Sequence, residues 1–559
     1  MPRLLRFAAS AALLVSAATL VSRLFGFVRW VAFSPTVGAG AVGTAYQSAN
    51  QIPNILYEVV AGGALAGAVV PLLAAPLALA QRKAGETGPG GSAESGDTAE
   101  AARAEASRIA SALLTWSVTL TLPLAAAVMV LHAPLAALIT PTDAPGSTAF
   151  ISGFLLVFAP QLVLYAVGGV LTGVLQAHRR FLWPAFMPLV SSLIVIGVYA
   201  GYAVLRGPES AAPADSALAL LGWGTTAGVA AMTLPLALPA RSTGIRFRPT
   251  WSFPPGVARR AVKLAGAGMS VLLAQQLATL VILMVSNKVG GSGVFAVFGY
   301  VQAVYLLPYA VLAVPVATVA FPKLAGLVAE TGPAGPTDAF IAGTTRLVVL
   351  LGLTGAAVLA AASAPLQVFF STLDTAHGES APIFSALGLT VVVIAAAVPG
   401  WCMVAWGTRV FYALERSRFA TLSAAAGWSL VAVSVLAAVP FVAAAPGPRT
   451  LVALGAAHAV GMTVAGVCLL AGIARVRGRG ALAGLPRTLV VGVVGAAGGG
   501  AAGFLVARLA LAGSGGLPFP PAVLAVLAGL CAGLVAVAVT GAVAFALDRG
   551  ALAQARALR

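Results

Sequence analysis

Three charged residues read as lying well inside stretches otherwise apolar enough to cross a membrane: Arg23 and Arg29 in the run from 7 to 33, and Glu58 in the run from 41 to 80. A charge at mid-bilayer costs roughly 2.5 to 3.5 kcal/mol even on the permissive insertion scale, so each implies a partner or a water-filled cavity. Gln47, Asn50, Gln51 and Asn54 recur three to four residues apart and share a helical face with Glu58. A single amide can serve to bond a neighbouring helix, but five polar groups pointing one way fit a wet cavity better. Gln275, Gln276, Asn287 and Gln302 are the counterparts later in the chain. The chemistry this set supports is binding. The chain has no Gly-rich phosphate loop followed by Lys-Ser/Thr, no Ser/His/Asp grouping and no paired carboxylates, so hydrolase or ATPase activity is not expected. Cys402, Cys468 and Cys531 lie far apart in apolar stretches, and His132, His178, His377 and His458 show no ligand spacing; no metal or cofactor is expected.

Membrane helices must position these residues. Of 559 residues 60% are hydrophobic and 8% charged, whereas a soluble domain carries about 25% charged residues. At about 20 apolar residues per crossing, spans fall near 7–33, 41–80, 108–132, 147–177, 183–206 and 216–241. A second series follows near 257–288, 293–327, 338–364, 380–412, 419–445, 450–475, 486–512 and 520–547. The expected fold is all-α and polytopic, with fourteen transmembrane helices. Arg3 and Arg6 before an apolar run imitate a secretory leader, but apolar sequence resumes beyond Arg23, so the first helix reads as retained. Pro53, Gly62, Gly63 and Pro71 interrupt the second span, which reads as one broken helix. With even spacing, 26 of the 32 Lys and Arg residues fall at the termini and in even-numbered turns, and only Arg206, Lys288, Arg449 and Arg508 in the opposite turns. Both termini are therefore expected in the cytoplasm. The same asymmetry accounts for the net charge of +17 without a nucleic-acid partner. Measured from outer ends near Phe33 and Ala41, Arg23 sits about 15 Å deep, Arg29 about 6 Å and Glu58 about 25 Å. Snorkelling to the interface is the alternative role for Arg29, and neutralising an arginine the alternative for Glu58.

The second and eighth spans repeat one pattern. Gly40, Tyr46, Pro53 and Pro71 match Gly293, Tyr300, Pro308 and Pro322 at nearly one lag, and Arg180-Phe181 echoes Arg418-Phe419. Two copies of a six-helix unit follow, an even number, hence parallel copies related by an axis along the membrane normal around a central cavity, a transporter plan. The expected parts are an N-lobe over 1–245, a C-lobe over 246–480, and helices thirteen and fourteen with a short tail over 481–559. The polar, low-complexity stretch 82–107 reads as a flexible cytoplasmic linker. Gly26, Pro53 and Pro308 read as hinge positions.

With these residues in hand the sequence resembles the MurJ (MviN) family of lipid II flippases, of the multidrug/oligosaccharidyl-lipid/polysaccharide exporter superfamily. The segments that carry the likeness are Ser22-Arg-Leu-Phe-Gly-Phe-Val-Arg29, Gly38-Ala-Gly40 leading to Ile52-Pro-Asn54, Gly63-Ala64 and Pro71, Gln176 to Pro188, Leu307-Pro308 with Pro322, and Arg409-Val-Phe-Tyr-Ala413 before Arg418-Phe419. The resemblance implies a bacterial plasma-membrane transporter, not an enzyme, that moves lipid II, undecaprenyl-diphosphate carrying the peptidoglycan disaccharide-pentapeptide, between leaflets by alternating access. It implies Arg23 and Arg29 as diphosphate contacts in a substrate-binding set with Gln47, Asn50, Gln51, Asn54, Glu58 and Gln302. It further implies a C-terminal helix pair lining a groove for the polyprenyl tail, and a membrane potential or coupling ion as the energy source.

The departures from the family pattern are specific. Trp30 stands where an Asp is frequent, Thr44 where an acid stands early in helix two, Tyr57 where an arginine follows Pro-Asn-Leu-Leu, and Gln302, Ala303 and Leu306 where helix eight commonly supplies Asp-Arg and Glu. The Ala/Gly/Arg-rich composition resembles that of a divergent actinobacterial-type member. Two other readings stay open here: an exporter of another polyprenyl-linked glycan or amphiphile, and a transport-silent scaffold recruiting cell-wall synthesis proteins through its loops.

Overall fold

A computed structural model describes residues 18, 21–60, 67–86, 93–207, 213–331, 336–374, 381–443, 445–513 and 518–557. Among them every regular element is helical. The first is α1 (21–36). It is followed by α2 (Ala41–Tyr57), α3 (Gly67–Glu86), α4 (Ala93–Val130), α5 (His132–Ile139), α6 (Thr148–Phe158), α7 (Gln161–Ala177), α8 (Leu182–Leu205), α9 (Asp215–Thr233), α10 (Ala237–Arg241) and α11 (Val257–Val285). Next come α12 (Val294–Pro308), α13 (Val314–Thr331), α14 (Pro336–Ala361), α15 (Ser363–Leu373), α16 (Ala381–Ser385), α17 (Leu387–Ala395), α18 (Val398–Ala413), α19 (Ser417–Val442), α20 (Pro448–Arg477), α21 (Leu485–Ala512), α22 (Pro521–Leu547) and α23 (Arg549–Ala557).

Twelve spans among the described residues are long and apolar enough to cross a membrane, and they coincide with the third to fourteenth expected from hydropathy. The first two expected spans, 7–33 and 41–80, include residues outside the described set. Large apolar side chains such as Val204, Phe441 and Leu534 stand open on the helix faces. In water such faces would aggregate, and in a bilayer they meet lipid. One expectation is corrected. The stretch 82–107 is helical wherever it is described, with α3 running to Glu86 and α4 starting at Ala93. Its Ala and Glu content favours helix, and Ala99, Ala102 and Ala106 recur at helical spacing to bury a narrow face that the absence of large apolar residues conceals.

The chain divides into two compact units. One holds residues up to Val37, Ala45–Thr140 and Gly146–Gln276; the other holds Gly38–Thr44, Pro141–Pro145 and everything from Leu277. In the first unit Tyr46 is the aromatic centre, edge-on to Phe154, Phe158 and Tyr199, with its hydroxyl bonded to Thr225 at 2.9 Å and Tyr199 at 3.2 Å. In the second the repeat partner Tyr300 stacks on Phe370 and Phe384 and donates to Asp374 at 2.8 Å. Each unit also contains a π-helical turn after its matched proline, at 58–60 beyond Pro53 and at Tyr309–Ala313 beyond Pro308. In addition, α7 and α18 end alike. Arg179 and Glu415 take positive φ of 60° and 56°, and the next N–H reaches back five residues, Arg180 to Leu175 O and Arg416 to Phe411 O, both at 2.8 Å, the closing bond of a Schellman end. The structural partner of Arg180 is thus Arg416, two residues before the Arg418 that the sequence echo pairs with it.

Helices α21 and α22 pack through small residues. A Cβ on Gly499 would fall 2.7 Å from Ala536 O, and one on Gly503 2.5 Å from Ala532 O. These glycines are four apart and let the backbones touch, the association mode available where lipid removes the hydrophobic drive. Gly503→Leu is expected to force the pair apart and cost about 2 kcal/mol of stability, read as a lower thermal unfolding midpoint in detergent.

Candidate functional site

Some of the candidate site residues of the first unit are brought together by the register of a helical hairpin. Arg29 lies seven residues before the end of α1 and Asn50 nine after the start of α2, so both sit about 10 to 14 Å from the connecting turn. Arg29, Trp30, Tyr46, Gln47, Asn50 and Tyr199 line one cavity of about 20 Å³. The guanidinium is half-buried and has no ion-pair partner among the described residues. Asn50 Oδ1, also facing this neighbourhood, is buried and accepts no hydrogen bond among the described residues. A buried acceptor without a donor is costly, and the space beside it, about 20 Å³, is room for a single water.

Two turns further along α2 a larger cavity opens, about 510 Å³, walled by Asn54, Tyr57, Glu58, Tyr165, Gln176 and Thr233 among others. Tyr57 and Tyr165 lie with ring centroids 5.2 Å apart. Pro53 cannot donate to the Ala49 carbonyl, and Asn54 Nδ2 turns back to the adjacent Asn50 carbonyl at 3.0 Å. The helix then loosens into the π turn at 58–60 that carries Glu58. π turns recur where a helix must present a group off its regular register.

The polar stripe of α2 therefore divides between two cavities, with Gln47 and Asn50 beside Arg29, and Asn54 beside Glu58. Gln51 is half-buried and lines neither. Arg23 is exposed on α1 and also lines neither, and Glu58 has no ion-pair partner among the described residues. Gln302 is half-buried on α12 of the other unit. Gly26 has open space around it, since a Cβ there would meet nothing within 4 Å. Pro308, by contrast, is seated against Gly355, where a Cβ would approach it to 2.7 Å.

Three of the departures from the family pattern acquire local roles. Thr44 is buried; its hydroxyl accepts the Gly293 N–H at 2.8 Å and bonds Ala39 O at 3.1 Å. Trp30 walls the Arg29 cavity and Tyr57 the Glu58 cavity. Sequence reasoning missed Tyr165 and Tyr199, whose phenols line these cavities from α7 and α8. They stand in apolar runs, where an isolated tyrosine carries no signal of its own. It also passed over Arg346 and Arg409, which lie inside α14 and α18.

Two solved structures share this fold. A solved lipid II flippase MurJ in an inward closed conformation aligns over 94% of this chain and 98% of its own, with TM-score 0.67 and 17% identity. An inward-facing multidrug resistance MATE family transporter of the MOP superfamily aligns over 82% and 98%, with TM-score 0.56 and 12% identity. At such identities these likenesses establish the fold. In sequence, a probable lipid II flippase MurJ of Rhizobium meliloti (strain 1021) is 25% identical over 425 residues, 74% of this chain and 73% of its own. Another, of Synechocystis sp. (strain ATCC 27184 / PCC 6803 / Kazusa), is 29% identical over 245 residues, 43% and 41% of the two chains. The family model for lipid II flippase MurJ runs from residue 33 to 505, through most of the first unit and into α21 of the second, and the chain belongs to that family.

Proposed function

We propose that this chain carries lipid II from the inner to the outer leaflet of the bacterial plasma membrane, with Arg29 as the principal contact of the diphosphate. The observation that carries the assignment of the site is a half-buried guanidinium without an ion-pair partner, beside the unsatisfied Asn50 Oδ1, in a member of the lipid II flippase family. A guanidinium can hold phosphate oxygens through two parallel hydrogen bonds, and amides can accept from sugar hydroxyls. Asn54, Glu58 and the tyrosines of the larger cavity are polar groups suited to the saccharide, and Arg23, exposed nearer the helix start, meets the headgroup on entry. The two lobes rock in alternating access, with the π turns after Pro53 and Pro308 and the unencumbered Gly26 as flexible points. No covalent step is involved, and a membrane potential or an ion gradient supplies the drive. Both termini face the cytoplasm. This topology is supported by the meeting of Arg103 and Arg108 of α4 with Arg246 and Arg248 at one end of the first unit, as segments on one side of the membrane would.

The test is expression in cells depleted of their own lipid II flippase, with lipid II counted on the outer leaflet. The wild-type chain is expected to restore it, and Arg23→Ala to lower the rate by about tenfold, the loss of one partly solvated charge-assisted contact. Failure of the wild-type chain to restore flipping despite normal membrane insertion overturns the proposal.

A further inference from the structure

At the basic end of the first unit, α10 gives way through Gly244 (φ 85°) to an extended segment over 245–250. Among the described residues no strand lies beside this segment, and alternate N–H groups of its backbone are instead satisfied by hydroxyls of α4. The N–H groups of Arg246, Arg248 and Thr250 donate to Ser107 Oγ at 3.2 Å, Ser111 Oγ at 3.0 Å and Thr115 Oγ1 at 3.1 Å. Two residues of extended chain advance about 6.6 Å and four of helix about 6.0 Å, so every second N–H meets every fourth helical residue. The ladder holds the segment in one register and thereby sorts its side chains. Ile245, Phe247 and Phe253 turn into the apolar core, and Arg246 and Arg248 turn away from it.

The outward side is a cavity of about 550 Å³. Arg246 and Arg248 wall it from the extended segment, and Arg103 and Arg108 from α4. Glu100 is the single acidic residue in its lining. Arg108 donates to Ser252 Oγ at 3.1 Å, while Arg103, Arg246 and Arg248 have no ion-pair partner among the described residues. Four like charges around one hollow repel each other, and the arrangement costs free energy unless an anion occupies it. Depth is set by two tryptophans at the same end. Trp116 Nε1 donates to Trp251 O at 3.0 Å, Trp251 Nε1 donates to Thr119 Oγ1 at 3.1 Å, and Trp251 is 63% exposed. Such amphipathic rings settle at the headgroup level. Arg108 lies eight residues from Trp116, about 12 Å along the helix, within reach of the headgroups and of the aqueous phase.

We propose that this arginine-walled cavity is a second anion site, separate from the Arg29 cavity, that takes a phosphate group. The source is an anionic phospholipid headgroup or a free phosphate. The inference rests on the ladder and the cavity and stands whether or not the chain flips lipid II.

The test uses the purified full-length protein in phosphatidylcholine nanodiscs with rising fractions of phosphatidylglycerol, bound anionic lipid being counted by native mass spectrometry. Two double variants are compared, R246Q/R248Q in the cavity wall and R259Q/R260Q, which removes the same charge outside it. R246Q/R248Q is expected to weaken phosphatidylglycerol retention about thirtyfold, from a contribution of roughly 1 kcal/mol per arginine near a membrane surface. R259Q/R260Q is expected to change it less than about threefold. R246K/R248K, which keeps the charge, is expected to recover most of the binding and separates site loss from misfolding. Inorganic phosphate forms the second arm. If phosphate, and not phosphatidylglycerol, binds the wild type and is lost in R246Q/R248Q, the site stands with a free anion as its occupant. Equal losses from the two glutamine double variants, or binding of neither probe to the wild type, overturn the proposal.

Discussion

Arg29→Ala is expected to slow lipid II flipping by about a hundredfold while the chain still folds and inserts. Removing one partner of a desolvated charged contact costs about 2 to 5 kcal/mol, and 1.4 kcal/mol is tenfold. Little stability should be lost, because Arg29 has no ion-pair partner among the described residues and its cavity is polar already. Arg29→Lys should fall between the two, since an ammonium keeps the charge and gives up the planar fork. The check is lipid II externalisation in flippase-depleted cells, scored by cleavage of the exposed headgroup with an added enzyme and normalised to inserted protein. A rate within threefold of wild type for Arg29→Ala would remove this residue from the mechanism and leave the family assignment standing.

Asp548→Ala should produce the largest loss of stability. Asp548, 4% exposed, closes α22; it pairs with Arg346 of α14 and accepts from the Thr488 hydroxyl of α21. Arg346 Nε also donates to Thr488 Oγ1 at 2.9 Å, and Gly484 and Gly550 press on the guanidinium so closely that a Cβ on either would lie 3.0 Å from it. Three helices are thus joined at one ion pair whose carboxylate is buried and whose guanidinium is 18% exposed. Removing one partner of such a pair costs about 3 to 5 kcal/mol because the other charge is left unpaired. Thermal unfolding in detergent should show Asp548→Ala far below wild type. Arg346→Met with Asp548→Leu should lie much nearer wild type, because the double change removes both charges. Equal destabilisation by the single and the double change would mean that packing, and not the unpaired charge, sets the loss.

Much of the fold was legible as hydropathy. The span read near 183–206 is α8 at Leu182–Leu205, and the one near 419–445 is α19 at Ser417–Val442. A membrane helix must satisfy its own backbone and present apolar side chains to lipid, and both demands are local to the segment. The described parts of the stretch 82–107 depart from the flexible linker expected there for the converse reason. Its buried face is made of alanines, too small to mark a core by composition, and only their packing reveals the helix.

Residue types and helical spacing were enough to single out Arg29, Asn50 and Glu58, because a charge or amide within an apolar run is conspicuous against the cost of excluding it from water. Their separation into two cavities was not legible. It depends on where α1 and α2 lie level with each other and on the tyrosines that α7 and α8 bring from more than a hundred residues away. The pair between Arg346 and Asp548, 202 residues apart, was hidden for the same reason. Apolar patterning along one helix specifies that the helix crosses the membrane. Which polar groups on different helices meet is set by packing between them, and no property of either segment alone contains that information.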